Sequence, residues 1–210
     1  ELKVLLKTKS IGTNSDRALL LDFQATLETK PEKAIKLEKD ALAQIENITA
    51  DNARLVSNLH ANLGGLYRMN GHPDLAREHM EKSISLLDQF NLLHINDSIP
   101  QIANYAMFLT EQQEPERGIS ELQKLSGIIK EYHSDDCLDY AKVQETLGTI
   151  YLMTANLPQA KTHFKRAFKI YEKIWADEPE MIEAKYQEIQ ELYPQIGFCI
   201  GKNLSGLLTK

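Results

Sequence analysis

The residues of this 210-residue chain that could carry chemistry are few and scattered. Zinc sites place histidines and cysteines at short, fixed spacings, as in His-Glu-x-x-His, so that two ligands point to one metal ion. None of the six histidines occurs in such a spacing: His60, His72, His79, His94, His133 and His163. The sequence therefore predicts no metal centre and no cofactor. We interpret His79 and His163 as residues of a solvated helix face.

Paired carboxylates could support acid–base catalysis, and two such pairs occur, Asp135-Asp136 and Asp177-Glu178. Both pairs lie close to the predicted start of a helix, where carboxylates satisfy free backbone N–H groups and the helix dipole. We therefore predict that they cap helices. No nucleophile with a neighbouring base is visible, so we predict no catalytic residue and no enzyme activity.

The bulk composition argues against two classes of partner. A formal net charge of -6 is unlike the basic excess of proteins that bind nucleic acids directly. No window approaches the roughly 20 apolar residues of a membrane span, so no membrane partner is predicted. The two cysteines, Cys137 and Cys199, form no CxxC motif and suit a reducing compartment, which predicts a cytoplasmic protein.

The sequence contains a repeat of 42 residues, from which the positions of the helices can be predicted. Prolines stand at Pro31, Pro73 and Pro115, and the fourth position, Leu157, is followed by Pro158. Small residues recur in two columns, which hold Ala34, Ala76, Gly118 and Ala160, and Asp22, Gly64, Ala106 and Gly148. Large apolar residues recur next to the second column: Leu21, Leu63, Tyr105 and Leu147.

These columns predict one antiparallel helix hairpin per repeat. Two helices approach closely where both present small side chains, and proline is tolerated in the first turn of the second helix. Each hairpin then buries its apolar face by stacking on its neighbours. First helices are predicted near 15–28, 52–70, 98–112, 137–155 and 180–193. Second helices are predicted near 31–47, 73–90, 115–133, 157–176 and 195–207.

The pattern of Leu, Gly, Tyr, Ala and Ala resembles the tetratricopeptide repeat, most clearly over Tyr140–Ile174 and Asn58–Leu87. The common repeat has ~34 residues. The longer period here is similar to that of kinesin light chains. The resemblance implies an all-α, right-handed α-solenoid of antiparallel helix hairpins. The first repeat departs from the pattern, with Asp22 in a small-residue column and Glu38 where Met80, Leu122 and Phe164 stand in the other repeats.

We expect a single domain over residues 1–210, with repeats at about 14–48, 52–90, 97–133 and 137–176 and capping helices at 180–208. Residues 1–8 continue two apolar columns and fit the end of a preceding helix. We therefore expect the chain to be cut from a longer array or to follow an upstream domain. Self-association through the uncapped first repeat, as a homo-oligomer, is also possible.

In tetratricopeptide arrays the first helices line a concave groove that binds peptides, and the resemblance implies such a groove here. The predicted groove residues are Asn58, Asn62, Gly65, Arg68, Asn104, Met107, Lys142, Glu145 and Thr149. Asn62 and Asn104 hold equivalent positions. They resemble the asparagines of the kinesin-light-chain-like family, which implies a ladder that binds an extended peptide backbone; a carboxamide suits this role because it both donates and accepts. The alternative is that they pair within the seam between repeats. Gly65 marks either helix packing or the close approach of a ligand.

The resulting functional hypothesis is a scaffold or adaptor that binds a protein or peptide. The alternative is a ligand-sensing or regulatory domain of a larger cytoplasmic, bacterial signalling protein or transcription regulator. An upstream helix-turn-helix or enzyme domain would favour the alternative. The repeat pattern itself is specific for a fold and silent about the partner.

Overall fold

The computed structural model describes residues 12–192 and 194, and within this part of the chain every regular element is an α-helix. The helices are α1 (Asn14–Thr26), α2 (Pro31–Leu42), α3 (Ala53–Met69), α4 (Pro73–Gln89), α5 (Ser98–Glu111), α6 (Pro115–Tyr132), α7 (Leu138–Met153), α8 (Leu157–Ile174) and α9 (Pro179–Leu192). Among these helices, none is long and apolar enough to cross a membrane.

The helices fall close to their predicted positions, with one clear difference. The second helix of the first repeat was expected to reach residue 47, but α2 ends at Leu42. Beyond it the backbone turns, with the amide of Ile45 donating to the carbonyl of Leu42 at 3.0 Å. Ile45 then packs against the buried cluster that contains Ala41 and Leu59. The predicted helix at 195–207 and the predicted helix end at 1–8 lie outside the described residues.

Local signals explain most helix starts. Proline occupies the first or second position of α2, α4, α6 and α8, as predicted from its fixed φ and missing N–H. Thr13 and Asp16 form a capping box on α1, in which the amide of Thr13 donates to Asp16 Oδ2 at 2.6 Å. The prediction that Asp135-Asp136 caps α7 is wrong. Cys137 is the N-cap of α7, and Asp136 instead pairs with Lys173.

The turn inside three hairpins uses one residue with positive φ at the same repeat position: Gly71 (75°), Gln113 (64°) and Ala155 (57°). The next amide closes each turn by donating to the carbonyl five residues earlier, for example from His72 to Tyr67 at 2.9 Å. This arrangement satisfies the carbonyls at the helix end. Of these three residues, only Gly71 is of a type from which the sequence predicts a positive φ.

The structure forms two compact units that divide between Phe108 and Leu109. In the first unit α1 packs on α2, α2 on α3 and α3 on α4. In the second, α6 packs on α7, α7 on α8 and α8 on α9. The predicted single-domain organisation stays a prediction.

The small-residue column lies where the two helices of a hairpin meet. A Cβ on Gly64 would stand 2.6 Å from Cγ of Met80, and a Cβ on Gly148 would stand 2.9 Å from the ring of Phe164. Glycine therefore lets a large side chain of the second helix lie directly on the first helix. Met80 and Phe164 are both buried.

Candidate functional site

A groove of about 200 Å³ lies in the first unit, between α3 and α5 and above α4. It is lined by Ala61, Gly65, Arg68, Met69, Met80, Ser83, Gln101 and Asn104. Three of the predicted groove residues, Gly65, Arg68 and Asn104, are among them. We call this the α3–α5 groove.

Gly65 forms an open part of the groove wall. A Cβ built there would meet nothing within 4 Å, in contrast to Gly64, its neighbour on the same helix. The absence of a side chain at Gly65 is therefore not required for helix packing. Its lack of a side chain leaves backbone and space accessible to a ligand, which was the other reading of this glycine in the sequence.

The floor of the groove is polar but internally satisfied. The hydroxyls of Ser57 and Ser83 both donate to Gln101 Oε1, at 2.8 and 2.5 Å. The amide nitrogen of Gln101 donates in turn to Asn58 Oδ1 at 2.6 Å. Because the hydroxyls of Ser57 and Ser83 and the carboxamide of Gln101 bond to one another and to Asn58, the floor needs no ligand to satisfy these groups.

Asn58 is a predicted groove residue that the structure places in this network and not on the groove wall. Its amide nitrogen donates to Asp97 Oδ2 at 3.3 Å, and Asp97 also accepts from Arg54 at 2.6 Å. The hydrogen bond from Arg54 holds the pKa of Asp97 below its usual range. Asn58 therefore connects the floor of the groove to an ion pair at the protein surface.

The two equivalent asparagines differ in their surroundings. Asn104 is exposed and borders the groove, and the described residues offer its carboxamide no hydrogen-bond partner. Asn62 donates to Asp22 Oδ1 at 2.8 Å and to Glu38 Oε1 at 3.3 Å, so its amide nitrogen is committed to the first hairpin. Asn62 thus fits the seam interpretation, whereas Asn104 alone keeps the properties expected of a ligand-binding ladder. Met107 is half-buried and outside the groove lining.

The predicted groove residues of the second unit are engaged within that unit. Lys142 is exposed and pairs with Asp139 one turn earlier, at 3.6 Å. Thr149 is buried within α7, with 9 % of its surface exposed. Glu145 accepts from the Tyr171 hydroxyl at 2.6 Å and pairs with Lys185 at 3.0 Å.

Glu145 therefore joins α7 to α8 and α9. Burial and the nearby Glu145 charge raise the pKa of Tyr171, which keeps its hydroxyl protonated as a donor. Burial opposes the charge on Lys185, yet Glu145 and Glu188 together raise its pKa.

We expect Glu145→Gln to lower the free energy of unfolding by about 1–2 kcal/mol, because Lys185, 19 % exposed, loses its less exposed counterion. Glu188→Gln is the matched control, since its side chain is 56 % exposed, and it should change stability by less than about 0.5 kcal/mol. Urea denaturation of the whole chain measures both. Equal losses in the two variants would contradict the packing role of Glu145.

The histidine interpretation needs correction. His79 and His163 are half-buried and stack on a tyrosine of the first helix, at 5.4 Å from Tyr67 and 5.2 Å from Tyr151. The Nδ1 atom of His79 lies 2.9 Å from Nδ1 of His60, and that of His163 lies 2.9 Å from Oε1 of Gln144. They are hairpin contacts and not residues of a solvated face. Among the described residues no group of three or more histidine, cysteine or carboxylate side chains could hold a metal ion.

Comparison with known proteins identifies the repeat. Residues 98–173 match a family model of the tetratricopeptide repeat. This segment is therefore similar to tetratricopeptide repeats. The predicted resemblance to tetratricopeptide repeats is thereby confirmed for the part of the chain that the model matches. No curated protein sequence matches the chain.

Solved structures confirm the fold. BtubC (BKLC) from P. vanneervenii aligns with a TM-score of 0.66 at 19% sequence identity, over 82% of this chain and 68% of that one. A kinesin-light-chain-like protein of Podosopora anserina with nearly identical TPR-like repeats aligns with a TM-score of 0.66 at 13% identity, over 82% and 85% of the two chains. A single-substitution variant of it gives 0.69 at 13% identity, over 83% and 85%. The predicted fold class, an all-α tetratricopeptide α-solenoid, is correct.

Five of the residues that line the groove are not among the predicted site residues: Ala61, Met69, Met80, Ser83 and Gln101. A signal for one of them existed. Ser83 stands in a column otherwise filled by Ala41, Leu125 and Ala167, and a hydroxyl there indicates a polar neighbour. That neighbour, Gln101, could not be inferred, because it belongs to the next repeat.

Proposed function

We propose that the chain is a protein-interaction module that binds an extended peptide segment of a partner in the α3–α5 groove, and that it acts through binding and not through catalysis. The tetratricopeptide fold generally serves as a scaffold for protein interactions, which supports the class of function. The observation that carries the proposal is the combination of an open wall at Gly65 with a free carboxamide at Asn104.

These two groups suit different parts of a peptide. The Asn104 carboxamide can donate to a peptide carbonyl and accept from a peptide N–H at once. Next to it, the space over Gly65 is bounded by the side chains of Met69 and Met80. Methionine is flexible and polarisable and adapts to apolar side chains of different shapes. A peptide residue with an apolar side chain therefore fits beside the amide contact.

The test begins with a displayed library of random peptides selected on the whole chain. The affinity of selected peptides is then measured by fluorescence polarisation for the parent and for two variants. Gly65→Leu fills the groove and should weaken binding at least about tenfold, equivalent to about 1.4 kcal/mol. Asn104→Ala removes the carboxamide and should weaken binding by several-fold.

Gly127→Leu is the matched control for the first variant. Gly127 is an exposed glycine of α6, and a Cβ there also meets nothing within 4 Å. The two substitutions add the same side chain to a helix at positions where its Cβ meets no other atom within 4 Å, and only one of them lies in the groove. Selected peptides that bind Gly65→Leu as tightly as Gly127→Leu would refute the α3–α5 groove as the binding site.

A further inference from the structure

Three polar side chains meet where the first hairpin packs on α3. Asp22 comes from α1, Glu38 from α2 and Asn62 from α3. The Asn62 amide bridges the two carboxyl groups, at 2.8 Å from Asp22 Oδ1 and 3.3 Å from Glu38 Oε1. Only 1% of the Glu38 surface is exposed. The same cluster thus connects all three helices.

The other hairpins fill this position differently. Where the first repeat has Asp22 and Glu38, the second has Gly64 and Met80 and the fourth has Gly148 and Phe164, each a glycine under a large apolar side chain. A carboxylate buried in place of a methionine is costly unless it is paired with a cation or neutralised. The first repeat therefore needs a compensating group that the other repeats do not.

Among the described residues, no cation pairs with Glu38 to compensate its charge. The charged groups around Glu38 are Asp22 on α1 and the neighbouring Lys39 on α2, whose ammonium lies 5.7 Å from the centroid of the Tyr67 ring. From α3 come the uncharged amide of Asn62 and that tyrosine ring. Oε2 of Glu38 is buried without a hydrogen-bond donor among the described residues. Burial, and after it the charge and hydrogen bond of Asp22, raise the pKa of Glu38 from 4.5 to about 8.

We infer that Asp22 and Glu38 form one proton-binding site, and that the proton bound there fastens the hairpin α1–α2 to α3 through Asn62. With the proton present, one carboxyl group donates a hydrogen bond to the other, and both still accept from the Asn62 amide. Without it, two like charges face each other in a region with little water, and their repulsion pushes α1 and α2 apart.

The sign of the pH dependence follows from the two states of Glu38. When the hairpin opens, Glu38 enters water and ionises with its ordinary pKa of 4.5, whereas in the closed hairpin its pKa is about 8. Opening therefore releases a proton between these values. The stabilising contribution is complete below pH 4.5 and is lost as the pH rises towards 8. The opening constant should increase by up to about tenfold per pH unit in this window and level off above it.

Amide hydrogen exchange of the whole chain, read by mass spectrometry from pH 5.5 to 8.5, measures this directly. Exchange rates of peptides from α1 and α2 are divided by the intrinsic rates at each pH, which leaves the opening constant. In the parent, that constant should rise by about tenfold to a hundredfold across the range. Peptides from α7 and α8, whose hairpin contains Gly148 and Phe164, should show no comparable slope.

Two variants distinguish the effect of the bound proton on hairpin opening from the effect of side-chain packing. Glu38→Gln keeps the shape and hydrogen-bonding capacity but cannot ionise, so its opening constant should not depend on pH. Asp22→Gly combined with Glu38→Met copies the pair of the second repeat and should also be independent of pH. The double variant decides the question if Glu38→Gln does not fold. A pH slope in either variant equal to that of the parent, or no slope in the parent, would overturn the inference.

Through Asn62 the proton-binding site could affect ligand binding by the chain; this part of the inference rests on the proposed function. Asn62 is equivalent in the repeat to Asn104, and its amide becomes available to a ligand only when the carboxyl pair releases it. The exchange experiment contains no ligand, so its failure would leave the groove proposal intact. Conversely, a groove that binds no peptide would leave the proton site intact.

Discussion

Gly64→Ala should lower the free energy of unfolding by about 1–2 kcal/mol, whereas Gly65→Ala, one residue further along, should raise it by about 0.5–1 kcal/mol. A methyl group on Gly64 meets Cγ of Met80 at 2.6 Å, the Met80 amide nitrogen at 3.2 Å and the Ala76 carbonyl oxygen at 3.3 Å. Two of these atoms belong to the backbone of α4, so side-chain rotation alone cannot relieve the clash. On Gly65 the same methyl group meets nothing within 4 Å and only restricts the unfolded chain.

Urea denaturation with a constant m-value measures the difference between the two variants, which should reach about 2 kcal/mol. Gly64→Ala combined with Met80→Ala serves as the control. Because Met80 supplies the nearest atom, the double variant should lose less than the sum of the single losses. If alanine has the same effect at both glycines, the two helices do not approach each other at Gly64 as described.

Acid should weaken the second hairpin through its pair of histidines. Burial, followed by the nearby His79 and Lys82, lowers the pKa of His60 to about 4, and burial also lowers the pKa of His79. The folded state therefore resists protonation that the unfolded chain accepts near pH 6.5. The stabilising contribution is complete above that value and is lost as the pH falls towards 4. For a half-buried group we expect a loss of about 2 kcal/mol.

His60→Gln tests this with a pair that the chain already contains, because Gln144 and His163 form the equivalent contact at 2.9 Å in the fourth repeat. At pH 7.5 the variant should be within about 1 kcal/mol of the parent, since the glutamine oxygen can accept from His79. At pH 5 it should be more stable than the parent by about 1 kcal/mol. Thermal unfolding of the parent and the variant at the two pH values measures both stability differences. A stability difference that does not change with pH would contradict the role of His60.

The groove illustrates how far a sequence can predict a site. The residues Gly65, Arg68 and Asn104 could be found because they belong to one repeating face of the first helices. The floor residues could not, since Ser57, Ser83 and Gln101 meet across three different helices. Lys142, Glu145 and Thr149 share the predicted face but pack within the second unit. A repeat column states where a side chain points and leaves open what occupies the space in front of it.

The sequence by itself determined the hairpins of this protein. Prolines at the start of second helices, small residues at the crossing points and apolar columns act within one repeat, so a single period of 42 residues suffices to predict them. Even the anomaly of the first repeat, with Asp22 and Glu38 in columns meant for small and apolar residues, is visible without coordinates.

Only the tertiary structure decided which polar groups remain available. Asn62 and Asn104 are indistinguishable as repeat positions, yet the first is held by two carboxyl groups that lie 40 and 24 residues away along the chain, and the second is exposed beside an open groove. The physical reason is that a hydrogen-bond partner from another helix depends on packing distance, which side-chain periodicity does not encode.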